Sequence, residues 1–313
     1  MLETLAVTGP IFVLIGIGYA AARASVLDPE GVAGLGLYVV NLALPALIFS
    51  ALSGQDLRAI ADPGYLLAYL AGSLATLGMG YLWSRRAAGA GALPSALRAM
   101  GMAGANSGFV GYPILAVAMP TVAAPALALS MVVENLVLIP LVLALVERGR
   151  GAASGAAVTR LILRRLATSP ILLAIAAGLL VSLARPDLPA AAERTVDLLA
   201  RSSAAVSLVA IGGALAALPA ARVDPSVVPI VLGKLVLHPL ATALAFAAMP
   251  ALGLAVEGDL ARAGVLMAAM PVMSLYPILA AQHGEGPTAA MAMLGTTTLS
   301  FVTLSALLAL LAP

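Results

Sequence analysis

The chain has 313 residues, of which 62% are hydrophobic and only 10% charged, with a formal net charge of +2. An ordinary soluble domain carries about 25% charged residues, so this composition excludes one and points to an integral membrane protein. There is no cysteine, which removes disulfide and thiolate chemistry, and the few, scattered Tyr and Trp residues exclude a nucleic-acid surface.

Apolar runs of about 18 to 25 residues recur along the chain, as helices crossing a hydrocarbon core require and barrel strands do not. The fold class is therefore all-α. Ten spans are predicted, over residues 4–22, 31–52, 63–84, 95–119, 122–146, 169–184, 196–218, 226–250, 260–282 and 288–311. The first run has Glu3 and no basic stretch before it, so it reads as a span and not as a cleaved signal peptide. The longest polar stretch, residues 147–168, carries Arg148, Arg150, Arg160, Arg164 and Arg165. It divides the chain into a first five-helix repeat (1–146), a cytoplasmic loop (147–168) and a second five-helix repeat (169–313).

The division is supported by strings that recur. Tyr112-Pro113-Ile114-Leu115-Ala116 returns unchanged at Tyr276-Pro277-Ile278-Leu279-Ala280, although residue counts allow only about half a Tyr-Pro pair by chance. Pro113 and Pro277 are 164 residues apart, and two further pairs, Asp62-Pro63 with Asp224-Pro225 and Pro125 with Pro287, are each 162 apart. An odd number of spans per repeat places the two copies in opposite orientations, the inverted design of secondary transporters. With the N-terminus outside, ten Arg residues fall on the cytoplasmic side, including Arg23, Arg85, Arg86, Arg98 and Arg222. Five, Arg58, Arg185, Arg194, Arg201 and Arg262, fall outside. That bias places both termini outside.

The fourth span carries Asn106, Ser107, Gly108, Gly111 and Pro113, and its proline withdraws the N–H that would bond the carbonyl of Phe109. The ninth carries Pro271, Ser274 and Pro277. Both helices are expected to break, and breaks meeting at the midplane would offer half-helix N–H groups to an anion. Asn106 would add an amide donor, and Ser107 and Ser274 hydroxyls. The competing explanation is a pair of harmless kinks. Glu134 is the one acid well inside a span, followed by Asn135, and a carboxyl there must be protonated, paired or cation-bound. Lys234 and His238 are four apart on the eighth span, hence on one face. They would neutralise an anionic substrate or pair with Glu134; alternatively Lys234 snorkels and His238 bonds a carbonyl. One acid and one histidine make no metal site, and no motif of a phosphate loop or a serine nucleophile is present.

These residues resemble the auxin efflux carrier family, which includes plant PIN proteins and many bacterial transporters, over nearly the full chain. The resemblance rests on Asn41-Leu42-Ala43-Leu44-Pro45-Ala46-Leu47-Ile48-Phe49, on Ala105-Asn106-Ser107-Gly108-Phe109-Val110-Gly111-Tyr112-Pro113-Ile114 and on Lys234 with Pro239. Ala269-Met270-Pro271 and Thr296-Thr297-Thr298-Leu299-Ser300 look like the bacterial branch. It implies ten helices in two inverted repeats, a scaffold part and a transport part, with helices 4 and 9 broken and crossing at the midplane. It also implies a substrate carboxylate on Asn106, Pro113 and Pro277 at the crossing, and a homodimer formed through the scaffold. The more distant bile-acid sodium symporters share this architecture. Plant members look to have Gln near the position of Glu134, which leaves ion coupling open, and the spacing from Pro271 to Pro277 looks one residue longer than theirs.

The function expected is transport of a small organic anion, a carboxylate, across the bacterial cytoplasmic membrane by an elevator-like movement. The substrate site would comprise Asn106, Ser107, Gly108, Gly111, Pro113, Lys234, Ser274 and Pro277. Glu134, Asn135 and His238 would couple transport to Na⁺ or H⁺; without coupling, the membrane potential alone would drive anions outward. No cofactor, nucleic acid or catalytic residue is expected. The alternative is a membrane sensor that keeps the anion pocket and does not transport.

Overall fold

A computed structural model of the protein describes residues 2–53, 62–151, 155–186, 188–217 and 225–311. Arg58, Arg222 and Asp224 lie outside the described residues, as does the side chain of Arg165. The described chain is helical throughout, with no strand longer than one isolated bridge. Its helices are α1 (Leu2–Arg23), α2 (Pro29–Ser53), α3 (Pro63–Arg86), α4 (Ala92–Ala103), α5 (Ser107–Ala118), α6 (Pro120–Gly149) and α7 (Gly155–Thr168). They continue with α8 (Pro170–Ala184), α9 (Ala190–Ala216), α10 (Val227–Leu252), α11 (Gly258–Ala269), α12 (Leu275–Ala281) and α13 (Gly286–Leu311). Six of them, α2, α3, α6, α9, α10 and α13, are long and apolar enough to cross a membrane. Within the central polar stretch, residues 155–168 form α7. Its apolar residues recur at helical spacing between the arginines, which suits a helix with one polar face.

Proline shapes these helices in a regular way. Pro45, Pro113, Pro140 and Pro239 are each preceded by a five-residue π-helical segment: Val39–Ala43, Ser107–Gly111, Glu134–Leu138 and Gly233–Leu237. Each segment is centred on the residue four before its proline. That residue's carbonyl has lost its ordinary N–H partner and would collide with the proline ring. Widening the turn by one residue relieves both problems, and the N–H just before the proline reaches back five residues, as from Leu44 to Val39, Ile139 to Glu134 and His238 to Gly233. Such bulges cluster at functional sites in membrane and soluble helices alike. Two of these segments contain Glu134 and Lys234.

The helices gather into two compact units, each drawing on both halves of the sequence. The first comprises residues 1–62, 108–131 and 168–219, and the second residues 63–107, 132–167 and 220–313. In the first, α1 packs on α9 and α8 packs on α2. The α1–α9 crossing is close because Gly18 faces the backbone of Val209 and Gly212 faces that of Ile15, where any Cβ would overlap. In the second, α3 packs on α4 and on α10, α10 on α11, α4 on the second half of α6, and α11 on α13. Its core includes Leu97, Met100, Ile139, Ile230, Val272 and Tyr276.

Candidate functional site

The site lies in the second unit, where two helices stop and their chain ends pair. α4 ends at Ala103, and Gly104 is extended at φ −78°, ψ 120°. α11 ends at Ala269, and Met270 is extended at φ −61°, ψ 155°. The segments meet as a minimal antiparallel bridge between Ala105 and Val272. The Asn106 N–H donates to the Pro271 carbonyl at 2.9 Å, and the Met273 N–H donates to the Gly104 carbonyl at 3.1 Å. Extended backbone in hydrocarbon is stable only if its polar groups are satisfied by protein, and here each break satisfies the other. Two side chains complete the junction. Val272 N–H donates to Thr296 Oγ1 at 3.3 Å, and Asn106 Nδ2 donates to Ser274 Oγ at 3.2 Å.

Beside the bridge runs a buried polar chain. The hydroxyls of Ser107 and Tyr69 both donate to Glu134 Oε1, at 2.6 and 2.9 Å. The Tyr69 ring tilts against the imidazole of His238, with centroids 6.1 Å apart, and also stacks on the Tyr65 ring. His238 Nε2 lies 3.0 Å from Ser73 Oγ, and its Nδ1 lies 2.7 Å from Lys234 Nζ. Lys234 Nζ also donates to the Ala268 carbonyl at 2.6 Å. With Lys234 donating, Nδ1 accepts and the imidazole proton sits on Nε2, facing Ser73. Lys234 and His238 are fully buried. Ala268 is in the last turn of α11, where the carbonyl ends carry the negative pole of the helix dipole, so an ammonium is well placed there.

The structure brings together some of the residues singled out in the sequence and separates others. It brings together Asn106, Ser107, Glu134, Lys234, His238 and Ser274 in the second unit. Asn135 follows Glu134 in the same π segment and is half-buried. Gly108, Gly111 and Pro113 belong to the first unit. Pro113 and Pro277 are not at the crossing, which is made by 104–106 and 271–273. Pro113 instead sits inside α5 and Pro277 inside α12. The physical reason is that the lost helix bonds are absorbed locally. The π turn accommodates Pro113, and the Phe109 carbonyl receives the Ser207 hydroxyl at 3.0 Å. The Met273 carbonyl likewise accepts the Tyr276 N–H at 3.0 Å. Lys234 and His238 do share a face, but they bond to each other and to Ala268, not to Glu134.

Sequence reading missed Tyr69, Ser73 and the role of Thr296. The signal for the first two was present: Tyr69 and Ser73 are four apart on an apolar helix, the same spacing as Lys234 and His238.

The family model described as "Membrane transport protein" matches residues 6–308. A protein of Rhizobium meliloti (strain 1021) named "Putative malonate transporter" is 30% identical over 318 residues, covering 99% of this chain and 97% of that protein. An "Uncharacterized transporter" of Methanothermobacter thermautotrophicus is 34% identical over 108 residues, 34% of this chain and 35% of that protein.

Proposed function

Because this chain belongs to the membrane transport protein family of auxin efflux carriers, we propose that it is a non-enzymatic secondary carrier of a small organic anion with a carboxylate group. The observation that carries the reading is the mutual pairing of two helix breaks around Asn106 and Ser274, which gathers amide and hydroxyl groups between otherwise apolar helices. The printed name of the full-length Rhizobium relative makes malonate the first anion to try.

In this reading the chain has ten spans in two inverted repeats: the six long helices, α1, α8, and the broken pairs α4–α5 and α11–α12. The packing within each unit supports the repeat. Exchanging the first five spans for the last five turns α1 on α9 into α8 on α2, α3 on α4 into α10 on α11, and α4 on α6 into α11 on α13. The polar residues follow the same exchange. Tyr69 and Ser73 correspond to Lys234 and His238, both 165 residues later, and Glu134 corresponds to Thr296, 162 later. Glu134 holds one break through Ser107, and Thr296 holds the other through Val272.

The substrate carboxylate would be bound by the Asn106 amide and the Ser107 N–H. Lys234 would act at one remove, by bracing the end of α11. The second unit, which carries the site, would be the part that moves in an elevator-like cycle. Both termini would lie outside a bacterial cytoplasmic membrane. The test is counterflow of labelled malonate, with succinate and acetate as competitors, in proteoliposomes of the purified protein. Saturable counterflow is expected; binding of carboxylates without counterflow would instead indicate a non-transporting sensor.

A further inference from the structure

Glu134 has a feature that anion binding alone does not use. Its Oε1 receives two hydroxyl donors, one from Ser107, adjacent to Asn106, and one from Tyr69. The charged and titratable groups around it are few. Tyr69 and Tyr65 come from α3, and Lys234 and His238 from α10. Arg98 lies on α4 five residues before that helix ends at Ala103, on the order of 8 Å along its axis from the break. Glu147, Arg148 and Arg150 lie at the far end of α6, more than three turns on.

We propose that Glu134 is a proton-coupling site: it takes up one proton from water when an anionic substrate binds at Asn106 and gives it up on the opposite side after release. This rests on the carrier reading above. The ionised carboxylate and the Lys234 ammonium make the buried network neutral overall. An anion arriving at Asn106, one residue from the Ser107 that Glu134 holds, adds a like charge close to the carboxylate and favours its protonated form. The bound proton in turn favours the anion by the same factor, since linkage is reciprocal. Protonation also alters the network that positions the break: the neutral acid accepts the Ser107 and Tyr69 hydroxyls more weakly than the carboxylate does.

The experiment measures protons directly. Purified full-length protein in weakly buffered detergent, at about pH 8, far above ordinary carboxyl values, is mixed with malonate beside a pH-indicating dye. Calorimetry reports binding in parallel. The wild type should take up protons as malonate binds, up to one per malonate, the ceiling for one linked site. Glu134→Gln should still bind malonate and take up none, and Glu147→Gln, at the far end of the same helix, should retain the uptake. Binding without proton uptake in the wild type, or uptake unchanged in Glu134→Gln, overturns the proposal. If no carboxylate binds, the carrier reading fails by itself, and infrared titration still decides the site. An acid carbonyl band that grows on lowering the pH and is missing in Glu134→Gln supports it; no such band refutes it.

Discussion

The crossing of α3 and α10 is set by Gly72, and replacing it with alanine should disturb both stability and the polar chain. A Cβ at Gly72 would lie 2.5 Å from the Cα and Oγ1 of Thr242 and 2.8 Å from its backbone N. Heavy atoms rest at about 3.5 to 4.0 Å, and backbone cannot rotate away, so the helices must part by about 1 Å. The neighbouring Ser73 Oγ to His238 Nε2 contact, now 3.0 Å, would then open to about 4 Å, beyond hydrogen-bonding range. Overpacking costs about 1 to 3 kcal/mol and the lost bond about 1 kcal/mol, so Gly72→Ala should destabilise by about 2 to 4 kcal/mol. The control is on the same helix: Gly78 is exposed and has nothing within 4 Å. There alanine should be neutral or stabilising by up to about 1 kcal/mol through helix propensity. Equilibrium unfolding of both variants in mixed micelles measures the contrast. Equal effects, or a Gly72→Ala protein as stable as wild type, would refute the close-crossing argument.

Other outcomes follow from the same contacts. Asn106→Ala should abolish a malonate-induced thermal shift while costing only about 1 kcal/mol of stability, the worth of its bond to Ser274; an undiminished shift would remove Asn106 from the site. Lys234→Met leaves the Ala268 carbonyl and His238 without their donor, and chemical denaturation should show a loss of about 2 to 4 kcal/mol. Pro140→Ala removes the cause of the π segment that contains Glu134. If that helix rewinds to α, Glu134 turns by about 100° relative to the residues beyond it. Amide exchange should then show stronger protection near residue 136, and transport should fall.

Membrane class, the positions of most spans and the expectation of two matching breaks were legible in sequence, because each depends on residues close together along the chain. Hydropathy over one span marks a span, and Gly and Pro within an apolar run mark a helix that will be interrupted, wherever the chain goes. The four prolines that carry π segments belong here too, since their effect is confined to the preceding turn. The pairing of Gly104 and Asn106 with Met273 and Pro271 could not be read this way. Glycine and proline marked the neighbourhood of the breaks, but the residues that cross are those whose backbone groups find partners about 167 positions away. Lys234 is the clearest case. Its place on an apolar helix showed that it needed partners, while only the docking of α10 against α11 and α3 made them Ala268 and His238, with Ser73 behind. Local propensities specify which groups cannot remain unpaired in lipid; the packed arrangement decides which group answers each one.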